Sequence, residues 1–389
     1  MPHSTPTERS KRIPWIDAAR GFALFGILMV NVPAFHAPFF LYGGEEQYWN
    51  TSMDHAIQTM IDIFFQASFY TLFSLLFGFG MQMMSDRLQN DGVLVRRLFI
   101  LLGFGVIHAF MIWHGDILLS YGAIGFLLFF YFRQEPQTLL KWFLALLIVP
   151  GILYTWFLYV SRRYLGWINK DGISIAFSHY SSHSLPDILV QNYHDWVYSN
   201  SGMGVVFSVI VLLPMFLFGM FLMKKRWLHD IDTYQSVLKR IFYLSLAVFI
   251  LFKMGPYFIG NPEWLSFIQD HVGGAASSIF YLVGITLLFQ HEKWGRRLHF
   301  LTYVGKMSLT NYISQSIICF LLFYGPGFGL YGKVSPVWSI GIVVILYSFQ
   351  VFFSKWWLIR FYFGPLEWVW RSLTYKKKQP LKRVEEVTS

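Results

Sequence analysis

The run Gly21-Phe-Ala-Leu-Phe-Gly-Ile-Leu-Met-Val-Asn31-Val-Pro-Ala-Phe-His36 contains no Asp, Glu, Lys or Arg, and the charge-free stretch continues to Gly44. The hydrocarbon core of a bilayer is about 30 Å thick and takes about 20 mostly apolar helical residues to cross. The run therefore reads as a membrane-spanning helix. It is too long for a signal-peptide core and lacks a small-residue cleavage site, so the polar segment 1–12 is expected to precede a retained first span. Further charge-free stretches fall at 63–85, 98–115, 117–132, 142–161, 197–223, 241–252, 272–290, 307–332 and 334–354. The stretch 241–252 reaches a full span only by running past Lys253 to about Ile259, with that lysine extending toward the outer interface. Asp116 alone separates 98–115 from 117–132, which predicts a helical hairpin with a tight turn. Lipid offers no partner to an unpaired backbone, so each span is helical. The expected fold is all-α, a polytopic integral membrane protein of about ten transmembrane helices.

Composition agrees. Apolar residues make up 55% of the 389 and charged residues only 13%, against about 25% charged in soluble domains. Fifteen Trp and 22 Tyr suit a chain with two membrane–water interfaces. The single cysteine, Cys319, excludes an intramolecular disulfide, a thiolate metal cluster and CxxCH haem attachment. Its apolar surroundings make it a packing residue. With the N-terminus inside, the outer side holds only Arg162, Arg163, Lys170, Lys253 and Lys333 of the 31 Lys and Arg. By the positive-inside rule, both ends are cytoplasmic. The net charge of +10 then reflects topology and anionic inner-leaflet lipid, and no nucleic-acid partner is needed. The expected organisation is a cytoplasmic segment 1–12, a single transmembrane domain 13–372 with an outer loop at 162–196, and a basic, disordered, lipid-facing tail at 373–389. A homo-oligomer is left open.

Polar residues inside a membrane are costly, so each is a candidate for function. Arg20 and Asn31 are eleven residues apart, which puts them about 20° apart on one helix face with roughly 16 Å of rise between them. The alternative is an Arg20–Asp17 pair and an Asn31 bonded to a neighbouring helix. His36, His55, His108 and His114 gather toward the outer side, with Asp116 beside them. An imidazole near an acid is the usual equipment of a general base. His108 and Asp116 would lie about 12 Å apart on a straight helix, so they pair only if the turn folds Asp116 back. Asp116 also suits the N-cap of the following helix. Ser308, Asn311, Tyr312 and Gln315 form a polar stripe at helical spacing, which either lines a substrate cavity or joins helices. His179-x3-His183 has metal-ligand spacing if helical, but its Ser-rich setting does not look helical. No metal or haem is expected, and no GxGxxG, P-loop, GxSxG or HExxH motif is present.

Four segments carry a family resemblance: Ile16-Asp-Ala-Ala-Arg20-Gly through Asn31; Phe73-Ser-Leu-Leu-Phe-Gly-Phe-Gly80; Arg97 to Asp116, with Gly-x-x-His and Gly-Asp-Ile-Leu; and Gly305-Lys-Met-Ser-Leu-Thr-Asn-Tyr312 together with Gly364-Pro-Leu-Glu-Trp-Val-Trp-Arg371. With them the chain resembles the YeiB-type bacterial membrane proteins, a domain of unknown function. That family is similar to transmembrane acyltransferases such as heparan-α-glucosaminide N-acetyltransferase and the bacterial enzymes that O-acylate surface glycans. The resemblance implies an acyl-CoA donor from the cytoplasm and an active-site histidine facing outward. The glycan enzymes place that histidine eleven residues after the first helix's arginine, where this chain has Asn31. The heparan enzyme has an asparagine there and its histidine further on, which makes His36 one heir to the role. The Gly-x-x-His segment makes His108 another.

The expected activity is acyl transfer from a cytoplasmic acyl-CoA-type donor to an outer-side hydroxyl or amine on a small molecule or glycan, in the bacterial plasma membrane. Arg20, Arg96, Arg97 and Lys306 would hold the donor's phosphates, and Asn31 would position donor or oxyanion. Ser308, Asn311, Tyr312 and Gln315 would form a polar shaft. His108, His36 or His114 would be the base, with Asp116 orienting it. The competing expectations are a small-molecule transporter using the same polar interior, and a structural partner in the membrane.

Overall fold

The computed structural model describes residues 12–88 and 90–383. It is a bundle of α-helices, and among these residues the only β pairing is one isolated bridge between Phe361 and Lys382. The principal helices are α1 (Pro14–His36), α2 (Ser52–Phe64), α3 (Ser68–Ser85), α4 (Gly92–Met111), α5 (Leu118–Gly125), α6 (Pro136–Val160), α7 (Lys170–Ser181), α8 (Leu185–Asn200), α9 (Met203–Lys225), α10 (Ile231–Phe249), α11 (Gly274–Phe289), α12 (Phe300–Lys306), α13 (Ser308–Phe323), α14 (Pro336–Arg360) and α15 (Pro365–Tyr375). Seven helical runs are long and apolar enough to cross a membrane: Pro14–His36, Ser52–Ser85, Gly92–Met111, Pro136–Val160, Met203–Lys225, Glu263–Phe289 and Pro336–Arg360. Two shorter apolar helices, Leu118–Phe130 and Ser308–Phe323, accompany them. The helices α1, α6 and α14 each start with proline in the first turn, where its missing N–H costs nothing.

Helix α1 is central, packed against α3, α11, α12, α13 and α14. Lipid supplies no hydrophobic drive between helices, so close packing has to hold them, and small residues permit it. A Cβ on Gly21 would meet the Leu301 carbonyl, and one on Gly305 the Asp17 carbonyl, so α1 and α12 touch backbone to backbone. Helices α3 and α9 interlock the same way, Gly78 against the Phe216 carbonyl and Gly219 against that of Leu75. Helix α6 lies outside this core and shows Ile152, Leu153 and Trp156 to the surroundings. Cys319 is buried and free.

The hairpin at Asp116 forms as expected, between α4 and α5. Three expectations need correction. Lys253 does not extend to an interface: it is fully buried in a π-helical turn, Ile250–Met254, 2.7 Å from Asp270 and 3.7 Å from Asp62. Two half-buried carboxylates, Asp62 and Asp270, hold the ammonium more closely than water at a distance. The outer segment 162–196 is largely helical, formed by α7 and most of α8, and His179 sits in a helix with its Nδ1 2.9 Å from Gln191 Oε1. The Ser-rich composition misled here, because the apolar side chains Ala176 and Ile188 supply buried contacts. The basic tail is not free as far as Arg383. It folds back along the end of α14, where Tyr362 N donates to Leu381 O at 2.8 Å and Arg383 N to Arg360 O at 3.0 Å. Residues 384–389 of the expected tail, and 1–11 of the N-terminal segment, lie outside the described residues.

Candidate functional site

The end of α4 turns sharply after Met111, and Asp116 folds back over it. Its Oδ1 comes within 2.8 Å of His108 Nδ1, while its Oδ2 accepts from Leu119 N at 2.6 Å. Asp116 thus lies against the imidazole with one oxygen and against the first turn of α5 with the other, while Ile117 takes the N-cap position itself. The approach depends on Gly105, where a Cβ would meet the Leu119 backbone. That close contact lets α5 begin beside His108 and explains the spacing of Gly-x-x-His physically. The other ring nitrogen, Nε2, lies 2.7 Å from Ser316 Oγ on α13. Ser316 and His108 are hydrogen-bonded, and Asp116 Oδ1 lies against His108 Nδ1 without forming a well-aligned hydrogen bond, so the three groups sit in a row of which the first two are at most 1% exposed. An Nδ1–H facing the carboxylate and a basic Nε2 facing the hydroxyl is the tautomer that satisfies both contacts. Gly105→Val is expected to push α4 from α5 at a cost of ~1–3 kcal/mol and to separate His108 from Asp116. A thermal-unfolding series on purified protein checks it.

Beside this row lies a cavity of about 520 Å³, within the usual range for ligand sites. Asn31, Asp116, Ser120, His114 and Tyr312 supply polar wall, and the remainder is mainly aliphatic and aromatic. Tyr312 packs its ring on His108, centroids 5.0 Å apart. Its buried hydroxyl makes no well-formed hydrogen bond and has only the backbone at Ile117 near it. Asn31 has no hydrogen-bond partner among the described residues, so the alternative of an Asn31 bonded to a neighbouring helix is not what forms. The ring of Trp113 stacks on Phe35 at 4.0 Å and closes one wall.

The other histidines are placed differently. His114 borders the cavity and leans away, Nδ1 3.1 Å from the Tyr180 hydroxyl and 3.6 Å from Asp195. Asp195 is a buried carboxylate that sequence reading did not single out. It accepts from Tyr42 (2.5 Å), Tyr180 (2.7 Å) and Gln191 (2.7 Å), tying α8 to α7 and to the segment that follows α1. His36 is not at the cavity. It is buried with Nε2 3.0 Å from Ser339 Oγ on α14 and Phe323 packed on its ring. His55 is not at the cavity either. Among the described residues no group of His, Cys, Asp and Glu has the arrangement to hold a metal ion.

The stripe on α13 divides. Ser308 lines a second pocket at the opposite end of the bundle, and Tyr312 lines the cavity. Asn311 and Gln315 instead join helices: Asn311 donates to Ser354 at 3.0 Å and Gln315 to Gln350 at 2.8 Å. Side-chain partners on α14 decide this, which no spacing on α13 could reveal.

The second pocket, about 220 Å³, lies at the end that carries both chain ends. Arg12, Arg20, Arg97, Lys306 and Arg371 line it together with Asp17 and Glu367. The foreseen Arg20–Asp17 pair forms at 3.2 Å. Glu367 is occupied as a cap on α13, accepting from Leu309 N (2.6 Å), Thr310 N (3.0 Å) and the Thr310 hydroxyl (2.6 Å). The two C-terminal segments of the family pattern are thereby one structural unit. Arg97, stacked over Trp370 at 3.6 Å, Lys306 and Arg371 have no carboxylate within ion-pair distance among the described residues. Burial, then the like charges of Arg12 and Arg383, depresses the Lys306 ammonium pKa, with Asp17 opposing; burial first, then Arg12, likewise depresses that of Arg371. Such uncompensated cations favour an anion. Arg96 is not in this pocket; it donates to Thr374 O at 2.6 Å and anchors α15. Arg371 and Arg12 were missed because only the fold brings them to Arg97.

These features define a helical membrane protein with an imidazole–carboxylate pair beside one cavity and a cationic pocket at the other end. Residues 222–377 match the family described as "Protein of unknown function (DUF418)". The chain is 35% identical over 403 residues to an uncharacterized protein, YxaH, of Bacillus subtilis, covering 98% of this chain and 99% of that one. It is 30% identical to the uncharacterized protein YeiB of Escherichia coli, covering 94% and 97%. The chain belongs to this YeiB-type DUF418 family. No solved structure matches it.

Proposed function

We propose that the chain is a membrane-embedded acyltransferase of the bacterial plasma membrane, with about ten spans and both ends in the cytoplasm. It moves an acyl group from a cytoplasmic acyl-CoA-type donor to an outer-side hydroxyl or amine. The observation that carries this reading is the Ser316–His108–Asp116 row beside the cavity. Its basic nitrogen faces Ser316, so the acceptor's proton reaches His108 by way of that hydroxyl. The acceptor oxygen or nitrogen attacks the thioester carbonyl, the C–S bond breaks, and the imidazolium returns the proton to the leaving thiolate. Asp116 stabilises the imidazolium, and Asn31 and Tyr312 supply donors for the developing oxyanion. The donor's phosphates are held by Arg97, Lys306 and Arg371. Leu24, Leu28 and Leu72, at most 1% exposed, fill the space along α1 and α3, so the donor's arm reaches the cavity only when these side chains part.

The test is binding and cleavage of an acyl-CoA by the purified protein. Saturable binding with slow thioester loss, abolished in His108→Ala and retained in His36→Ala, is the expected result. Arg97→Ala and Arg371→Ala are each expected to weaken binding about tenfold, or ~1.4 kcal/mol, and less at high salt. Failure of any acyl-CoA to bind would sink the reading. A second reading, transport, is favoured by the two packed π-helical turns, Ile250–Met254 and Gln269–Gly273. They bury Lys253 against Asp270, and interrupted helices with internal charges mark substrate paths in transporters. Substrate-driven flux in liposomes without thioester cleavage would favour it.

A further inference from the structure

We propose that the ligand of the 520 Å³ cavity is a neutral amphiphile drawn from the outer leaflet, a long-chain molecule whose polar head lies at the wall that carries Asn31, Asp116 and Tyr312. As the identity of the acceptor, this rests on the acyltransferase reading; as a binding site, it stands on the cavity alone. Three observations carry it. First, Asn31 and Tyr312 both line the cavity without a well-formed hydrogen bond among the described residues. Tyr312 is 5% exposed with its hydroxyl unsatisfied, and buried polar groups are seldom left so without a ligand or water to complete them.

Second, the rest of the wall is mostly hydrocarbon, with Ile27 and Val30 on α1, Phe65 and Phe69 beside α3, and Val211 and Leu212 on α9, interrupted by Gln66, Tyr70, Ser199, Asn200 and Ser208. A sugar or small polar acceptor would leave this surface unfilled and lose its own hydration. An alkyl chain gains roughly 0.8 kcal/mol per buried methylene relative to water.

Third, the charges are sorted. The cavity wall contains no Lys or Arg and one carboxylate, Asp116, whereas the pocket at the other end gathers five cations. A phosphate-bearing headgroup is repelled from the first and suited to the second. The wall includes Phe40, 62% exposed, and Gly204 and Phe207 at the start of α9, beside the exposed apolar Met203, Val205 and Val206. This apolar surface next to the cavity faces lipid, so the molecule enters sideways from the bilayer.

The experiment uses the full chain in lipid nanodiscs and a monoacylglycerol carrying a photoreactive diazirine in its chain. Cross-links should map to α1 and the first half of α9. They should be competed by unlabelled 1-monooleoylglycerol, and not by glycerol or by an anionic lysophosphatidic acid. Ala34→Trp and Val211→Trp, which fill the cavity from α1 and from α9, should each lose the cross-link while keeping acyl-CoA binding at the far end. Labelling that survives both variants, or that glycerol or lysophosphatidic acid competes equally, overturns the proposal. Specific labelling without thioester cleavage leaves the amphiphile site standing and removes the acyltransferase reading. Cleavage without specific labelling does the reverse.

Discussion

His108→Gln is expected to reduce acyl transfer by on the order of 10³-fold, in line with the usual contribution of a positioned acid–base group, with little change in acyl-CoA affinity. The reasoning is geometric. Nδ1 lies 2.8 Å from Asp116 and Nε2 2.7 Å from Ser316, so the imidazole is held between a carboxylate and a hydroxyl. Glutamine keeps a polar contact to Ser316 and cannot accept the proton. A purely structural histidine would show a different pattern, with melting temperature and rate falling together. Asp116→Asn separates the two outcomes. The amide oxygen of asparagine accepts a backbone N–H as a carboxylate does, so the contact to Leu119 N is retained while the charge that stabilises an imidazolium is lost. A fall in kcat of on the order of 10⁴-fold at nearly unchanged melting temperature supports the base. Unchanged kcat in Asp116→Asn would remove Asp116 from the chemistry.

Gly219→Val is expected to prevent assembly of the native bundle, giving aggregated material in detergent size-exclusion chromatography. A Cβ at this position would meet the Leu75 carbonyl and the Phe79 nitrogen, both backbone atoms. Overpacking usually costs about 1–3 kcal/mol where side chains can yield, but backbone at the centre of two crossing helices has no rotamer to change. The reciprocal contact, Gly78 against the Phe216 carbonyl, predicts the same outcome for Gly78→Val. By contrast Gly103→Ala, where nothing lies within 4 Å, should be tolerated or slightly stabilising, since alanine favours helix more than glycine does. Native-like elution of Gly219→Val would show that α3 and α9 do not touch as closely as the structure has them.

Much of the site was legible in sequence as a set of suspects. Asn31, His108, Asp116 and Tyr312 were all singled out for polarity inside apolar runs, and all four reach the cavity or the row of groups beside it. What sequence could not reveal was the partner of each. Asn311 and Gln315 carried the same signal as Tyr312 and are helix-joining groups, because Ser354 and Gln350 happen to face them. His36 has a buried polar partner in Ser339, 303 positions away. Ser316 and Asp195 have no distinguishing local pattern, and Arg371 stands out only as the end of a family segment.

The sequence by itself determined an all-helical chain with repeated apolar helices long enough to cross a membrane, since hydrocarbon leaves the backbone no alternative and the period of apolar residues is local. It also fixed the hairpin at Asp116, where one charged residue interrupts two apolar runs. Tertiary structure alone decided that Asp116 reaches His108, that Lys253 is buried on Asp270, and that Arg97, Lys306 and Arg371 share one pocket. Those outcomes depend on which helices become neighbours. In a membrane that choice rests on close contacts of small residues such as Gly105, Gly219 and Gly305, whose effect appears only when the facing backbone is in place.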